Sequence, residues 1–307
     1  MSVLGFDTSN YTTSIAYFDG VSGENVSKLL PVKAGELGLR QSDAVFSHTK
    51  SLPELSGRLF SHIQADRITA VGVSTRPRAV EGSYMPCFMV GFSHAKMLAD
   101  VLQVPLVEVS HQQGHIAASA WSAGEMQLLD EPHLAWHLSG GTTELLLVEP
   151  EGKNVRCTRI GGTSDISAGQ LIDRTGQLLE LPFPSGKHLD LLGREAKNGD
   201  VFKVKCPGME FSLSGVQNKV QQYHAKNGNS VETAAFAMRC VALAVFQATS
   251  NACRAYPGLR VIFSGGVASN SLLRKELEPF SPVFAPIEFS TDNAMGVAVL
   301  THRLKER

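Results

Sequence analysis

The side chains in this sequence best suited to hold a metal ion are His111 and His115, in Ser110-His111-Gln112-Gln113-Gly114-His115. Residues i and i+4 share one face of a helix, so both imidazoles reach one point. Ser110 supplies an N-cap for that helix. No Glu follows the first histidine as in H-E-x-x-H, which excludes the zinc-protease arrangement. The plain alternative is a capped surface helix. A third ligand is needed, and Asp292 in Thr291-Asp292-Asn293, at the start of the last helix, is the candidate. Two imidazoles and a hard carboxylate suit iron, zinc or manganese.

A second chemistry is suggested by hydroxyl- and glycine-rich turns. Asp7, Thr8 and Ser9 end one apolar run, and Ser139, Gly140, Gly141, Thr142 and Thr143 end another. Backbone amides and hydroxyls at such tips can cradle a phosphate, and Asp7 can hold a metal-bound water. Each turn alone reads equally as an ordinary tight turn. In Phe263-Ser264-Gly265-Gly266-Val267 a strand runs straight into a helix, which sets helix N-terminal amides beside a phosphate or nucleoside. It matches neither G-x-x-x-x-G-K-[ST] nor G-x-G-x-x-G. Asp173 can accept from ribose hydroxyls, and Gly186 leaves room for a base. A helix salt bridge and a loop glycine explain those two equally well.

The elements that would position these groups alternate in type. Strands are expected over Val3–Asp7, Thr13–Phe18, Ile68–Ser74, Val104–Val109, His133–Leu138, Thr143–Val148 and Leu259–Phe263. Helices are expected over Phe46–Ile63, Pro86–Leu102, Ile166–Leu179, Gly186–Lys197, Ser214–Lys226, Val231–Tyr256, Val267–Leu277 and Asn293–Leu304. The pattern strand, polar turn, returning strand opens the chain and returns near residue 133, a weak internal repeat. The reading is an α/β protein of two hairpin-led units with a ligand cleft between them.

Composition narrows the classes. With 43% hydrophobic and 19% charged residues over 307 positions, the chain can build sizeable cores and is neither disordered nor collagen-like. Lys and Arg number 28 against 29 Asp and Glu, leaving a net charge of −1. That is no basic footprint, so nucleic acid would be gripped through a local patch or with a partner. Five cysteines without a C-x-x-C argue against a disulfide framework or zinc knuckle. No apolar run approaches the roughly 20 residues of a membrane span, and no secretory leader opens the chain. A reduced cytoplasm is the expected location.

The motifs taken in order resemble the TsaD family, the tRNA adenosine threonylcarbamoyltransferases formerly described as O-sialoglycoprotein endopeptidases. Leu4-Gly-Phe-Asp-Thr-Ser9 is similar to the family's L-G-I-E-T-S, and His111–His115 to H-M-E-G-H. Leu138-Ser-Gly-Gly-Thr142 resembles V-S-G-G-H, Ala168–Arg174 resembles A-G-E-A-F-D-K, and Phe183-Pro-Ser-Gly186 resembles Y-P-G-G. Phe211–Gly215 is similar to F-S-F-S-G, Ser264–Asn270 to A-G-G-V-S-A-N, and Ser290–Asn293 to C-T-D-N.

The resemblance implies two ribonuclease-H-like lobes of the actin, sugar-kinase and heat-shock chaperone type around a nucleotide cleft. The first lobe is expected over 1–125 with the C-terminal helix 291–307 packed on it, and the second over 126–290. Implied ligands are a divalent metal, iron first, on His111, His115 and Asp292, and ATP, AMP or an acyl-adenylate. The nucleotide would touch Leu138, Ser139, Gly140, Gly141, Thr142, Asp173, Gly186, Gly265, Gly266 and Asn270, with Asp7, Thr8 and Ser9 at the catalytic end. Implied partners are a TsaB-like paralogue, a small ATPase subunit and tRNA.

Some positions depart from the family. Asn10-Tyr11-Thr12-Thr13 stands for C-D-E-T, Thr142 for a histidine, Gln170 for a glutamate, and Arg76-Pro77-Arg78 with Ala79–Ser83 for the glycine loop A-G-P-G-L-V-G-A. These keep two other readings open. One is a paralogue that binds nucleotide and metal but serves another anionic substrate or regulates. The other is an ATPase or phosphotransferase of the sugar-kinase kind.

Overall fold

The computed structural model describes residues 1–31 and 39–305, so the last two residues of the expected 291–307 segment lie outside it. The chain forms two compact units. The first comprises Met1–Glu131, Glu149–Cys157 and Asp292–Arg307; the second comprises Pro132–Val148 and Thr158–Thr291.

In the first unit β1 (Ser2–Ser9) is buried along its whole length, as a strand covered on both faces must be. It pairs antiparallel with β2 (Thr12–Phe18), which pairs with β3 (Gly23–Leu29). On its other side come β4 (Ile68–Arg76) and β5 (Leu106–Ser110), both parallel, giving the order β3-β2-β1-β4-β5. Helices α1 (Gln41–Phe60), α2 (Phe88–Leu102) and α3 (His111–Ser122) follow in sequence, and α9 (Met295–Leu304) returns from the C-terminus. Side chains alternate across β1, so Gly5 and Asp7 share one face and Thr8 takes the other. A Cβ on Gly5 would stand 2.6 Å from the Ala298 nitrogen of α9, and one on Gly91 of α2 would stand 2.8 Å from Thr8 Oγ1. Leu4, Phe6, Ile15, Val71 and Val73 fill the core with Leu52, Leu55 and Leu59 of α1.

The second sheet has the order β11-β10-β6-β7-β8-β9, which read from the far end repeats the plan of the first. Its members are β6 (His133–Leu138), β7 (Thr143–Glu151), β8 (Asn154–Thr163), β9 (Glu210–Phe211), β10 (Val261–Ser264) and β11 (Val283–Phe284). A hairpin, β6–β7, leads again, and β10 joins β6 in parallel. Helices α4 (Ala168–Leu178), α5 (Gly186–Gly193), α6 (Ser214–Asn227), α7 (Ser230–Ala255) and α8 (Ser271–Leu277) cover it. By length and hydropathy α7 alone among the described helices could cross a membrane, although its sequence holds no unbroken apolar run of that length. Here it is a core helix, its Ala237, Val241, Ala244 and Ala248 packed with Trp136 and Phe263.

Several elements differ from expectation. In β3 only Val26 is buried, so no apolar alternation marks it in the sequence. The polar strand β8 was hidden for the same reason. The helix expected over Val267–Leu277 is broken, with a 3₁₀ turn over Gly266–Ser269 and then α8, capped by Asn270.

Candidate functional site

Helix α3 begins at the end of β5, and Ser110 starts it. The Ser110 hydroxyl accepts from the Gln113 amide, while the Gln113 side chain accepts from the Ser110 amide, a reciprocal cap. Gln113 also donates to the Val155 carbonyl at 2.7 Å. The helix start is therefore fixed, and His111 and His115 leave it on one face.

Their Nε2 atoms lie 2.9 Å apart. Asp292 Oδ1 is 3.5 Å from His111 Nε2 and 3.3 Å from His115 Nε2. The three ligand atoms thus lie within 4.8 Å of one another. Behind them, Asp7 Oδ2 is 2.8 Å from His111 Nδ1. Asp7 is buried, and its other oxygen accepts from the Ser9 amide at 2.9 Å.

The electrostatics follow. Burial alone would raise the Asp7 pKa, but the His111 charge and hydrogen bond outweigh it and hold Asp7 below the usual carboxylate value. An ionised carboxylate only accepts, so His111 Nδ1 carries the proton and Nε2 faces His115 and Asp292. Burial would lower the His111 pKa, but Asp7 and Asp292 push it up to about 10. Burial and then the His111 charge hold His115 below its ordinary value. Burial opposes charge on Asp292 as well, but hydrogen bonds from both histidines keep it well below the carboxylate range. Two nitrogens and one carboxylate oxygen converging around one point fit a divalent cation of the iron, zinc or manganese kind.

The expected catalytic trio divides into three tasks. Asp7 accepts from His111 and from the Ser9 amide, an arrangement that orients the imidazole. Thr8 Oγ1 donates to the Cys87 carbonyl and accepts from the Gly91 amide, both at 3.0 Å, and so pins β1 to α2. Of the three, the buried Ser9 hydroxyl alone has no hydrogen-bond partner among the described residues. The acidic pair of the family pattern has no counterpart: Thr12 lies buried at the start of β2 and Tyr11 is half-buried beside it.

The second unit gathers the expected nucleotide residues in two groups. In the first, Leu138 ends β6 and the turn closes by Ser139 N to Thr142 O at 2.8 Å and Thr142 N to Ser139 Oγ at 3.1 Å. Gly140 and Gly141 have open space where a Cβ would project. Gly265 has φ +91°, and a Cβ there would stand 2.1 Å from the Leu138 carbonyl oxygen, so no other residue fits. Gly266 follows it, also facing open space.

The second group rings α5. Asp173 accepts from the Ser185 amide at 2.9 Å, and burial raises its pKa. Gly186 opens α5 with Ile172 the nearest atom to a virtual Cβ, at 4.0 Å. Asn270 Nδ2 donates to Asp190 Oδ1 at 2.8 Å, and its Oδ1 caps α8. Most of the Asn270 amide is thus committed within the unit, which leaves one N–H for a ligand. The sequence reading missed Asp190, a buried carboxylate that also accepts from Ser271 N and Oγ and from Arg194. Its one signal is the Asp190/Arg194 spacing of i, i+4.

A family model described as TsaD, tRNA N6-adenosine threonylcarbamoyltransferase, matches residues 37–299. This chain belongs to the TsaD family. A tRNA N6-adenosine threonylcarbamoyltransferase of Thermosipho africanus is 29% identical, over 100% of this chain and 95% of the relative. One of the same description from Sulfurihydrogenibium sp. is 32% identical, over 100% and 92%. The family is one of transferases. A ROK family glucokinase from Streptomyces griseus, solved with glucose and AMPPNP, superposes with a TM-score of 0.55 at 12% identity, covering 99% of this chain and 100% of that one. That likeness shows the fold of the TsaD-family chain: the actin and sugar-kinase architecture with its doubled hairpin-led sheet.

Proposed function

We propose that this protein moves a threonylcarbamoyl group from an acyl-adenylate to the exocyclic amine of a tRNA adenosine beside the anticodon, with a metal ion on His111, His115 and Asp292. The observation that carries this is the convergence of those ligand atoms within 4.8 Å in a chain of the TsaD family, with Asp7 oriented behind them. When bound, such an ion supplies a Lewis acid that polarises a carbonyl or holds an oxyanion. Iron is the ion proposed first. Asp7 keeps the proton of His111 on Nδ1 and so aims Nε2. Asp292 balances charge at the cluster. The Ser139–Thr142 turn offers amides and hydroxyls to a phosphate, while Asp173, Gly186, Gly265, Gly266 and Asn270 receive the adenosine. In the transfer a C–N bond forms to the amine, the C–O bond to AMP breaks, the amine proton is released, and AMP leaves as the anion.

A TsaB-like paralogue and a small ATPase subunit complete the reading, because a chain of net charge −1 needs help to hold tRNA. The five described cysteines are free thiols, consistent with the cytoplasm. The test is threonylcarbamoyladenosine in tRNA after reconstitution with threonine, bicarbonate, ATP and those partners, measured by mass spectrometry. His115→Ala should remove the ion and the product while leaving the thermal midpoint in place. Product formed at the wild-type rate by protein without metal would overturn the metal assignment.

One observation favours a second reading. No carboxylate stands in the Asn10–Thr13 turn, so a group able to orient an amine is missing there. Under that reading the same residues serve another anionic acyl or phosphoryl substrate. Rescue of a strain depleted of its own transferase, with normally modified tRNA, would reject it.

A further inference from the structure

Arg76 ends β4, and its Cα pairs in register with Ser110, the residue before His111. The next residue, Pro77, accepts from the Gln112 amide in the first turn of α3 at 3.0 Å. The loop from Arg76 to α2 closes on the same place, since the Phe88 ring lies 6.0 Å from that of His111. Arg76 therefore stands at the carboxyl end of a central strand, beside the helix start that carries the metal ligands. Ligands of open α/β sheets bind at such ends.

What sets Arg76 apart is its lack of a partner. The other half-buried arginines described are Arg174, Arg239, Arg274 and Arg303. They bond to Gln217, the Asn198 carbonyl, the Ala268 carbonyl and Asp130 in turn. Arg76, half-buried as a residue, has no hydrogen bond or ion pair to its guanidinium among the described residues. Partial removal of a charge from water is costly unless an opposite charge meets it, and a planar fork of donors matches the two oxygens of a carboxylate or phosphate.

We propose that Arg76 is the anion-recognising residue of this site, gripping a carboxylate or phosphate oxyanion of the substrate next to the His111–His115–Asp292 cluster. The identity of the substrate rests on the transferase reading above; the oxyanion site itself does not. The acyl-adenylate of that reading carries both groups, the threonyl carboxylate and the adenylate phosphate.

The experiment is calorimetric titration of purified protein, wild type and with Arg76→Ala or Arg76→Lys, using inorganic phosphate, AMP and N-carbamoyl-L-threonine. Metal content and thermal midpoint are measured on each sample. At least one probe should bind wild type, and Arg76→Ala should weaken it by on the order of tenfold or more, with Arg76→Lys recovering only part. Loss confined to N-carbamoyl-threonine assigns the carboxylate; loss confined to AMP and inorganic phosphate assigns the phosphate. Arg76-dependent binding in protein that takes up no metal would keep this site and sink the metal reading. Equal binding by wild type and Arg76→Ala, or no binding of any probe to wild type, overturns the proposal.

Discussion

The proton shared between His111 and its two carboxylates decides what the cluster can hold. In the metal-free protein the His111 pKa of about 10 means that both ring nitrogens are protonated at neutral pH, one facing Asp7 and the other Asp292. A metal ligand must offer a lone pair, so metal uptake displaces the Nε2 proton. Calorimetry in two buffers of different ionisation enthalpy at pH 7.5 should therefore record release of about one proton per ion bound. Asp7→Asn keeps an acceptor for Nδ1 but removes its charge. That change should cut the proton release and weaken metal binding by roughly 10- to 100-fold. Unchanged affinity and unchanged proton count would show that Asp7 is only packing. The same shift fixes a sign for stability. A raised histidine pKa stabilises the fold fully below the ordinary value of 6.5, and the benefit fades as pH rises toward about 10. Asp7 and Asp292, whose pKa values are lowered, contribute above the ordinary 3.8 and lose that contribution in acid. The thermal midpoint of metal-free protein should thus fall between pH 7 and pH 9, while metal-loaded protein should show a smaller fall.

At the scale of elements, the cluster depends on how closely α9 lies against α3, because Asp292 precedes one helix and both histidines ride on the other. A Cβ added at Gly296 would stand 1.7 Å from the Gly114 carbonyl oxygen and 2.7 Å from the Ala118 nitrogen, both backbone atoms that cannot swing away. At Gly114 the nearest atom is a flexible one, Val297 Cγ2 at 3.3 Å. Gly296→Ala should therefore cost about 1–3 kcal/mol or more and lower metal affinity, while Gly114→Ala should be mild in both respects. Denaturant melts with metal titration check this, and equal effects of the two changes would refute it. The need for Gly296 does not show in the sequence, because the Gly114 and Ala118 backbone that requires it is distant along the chain. The same limit explains the other gaps. The strands β1 and β4 are legible from their apolar runs, β2 and β6 from strand-like stretches beside polar turns, and α3 from its Ser110 cap. The polar strands β3 and β8 had no such signal. His111, His115 and Asp292 were readable from spacing and residue type, but the task of Asp7 needed the register of β1 against α3. Asp190 was invisible because its partners, Asn270 and Ser271, lie some eighty positions away.

At the scale of the whole molecule, charge sets what the protein can do alone. The near-neutral balance gives no chain-wide excess of positive charge for a tRNA phosphate backbone, and non-specific binding of that kind depends on the number of phosphates neutralised. The isolated chain should therefore bind tRNA no more tightly than about 10⁻⁴–10⁻⁶ M at physiological salt. Under the transferase reading a paralogous partner is expected to supply the rest, with the exposed side of α2 as its expected docking surface. Met89, Met97 and Val101 are exposed along that helix at 49%, 64% and 75%, with Phe92 partly buried among them and Lys96 bridged to Asp100. Met97 and Val101, at i and i+4, share one stripe, and Met89, Phe92, Lys96 and Asp100 line the same surface hollow beside it; burying an apolar side chain of this size contributes about 1.5–3 kcal/mol. The double change Met97→Glu and Val101→Glu adds two charges to that stripe without touching the buried face of α2, so folding should be unaffected. Fluorescence anisotropy with labelled tRNA, with and without a TsaB-like subunit, separates the outcomes. The wild-type chain should gain at least tenfold in affinity when the subunit is added, and the double variant should gain nothing while its metal content and thermal midpoint stay unchanged. Tight, partner-independent binding by the wild-type chain would mean that the net charge conceals a local cationic patch. An undiminished gain in the double variant would place the docking surface elsewhere than α2.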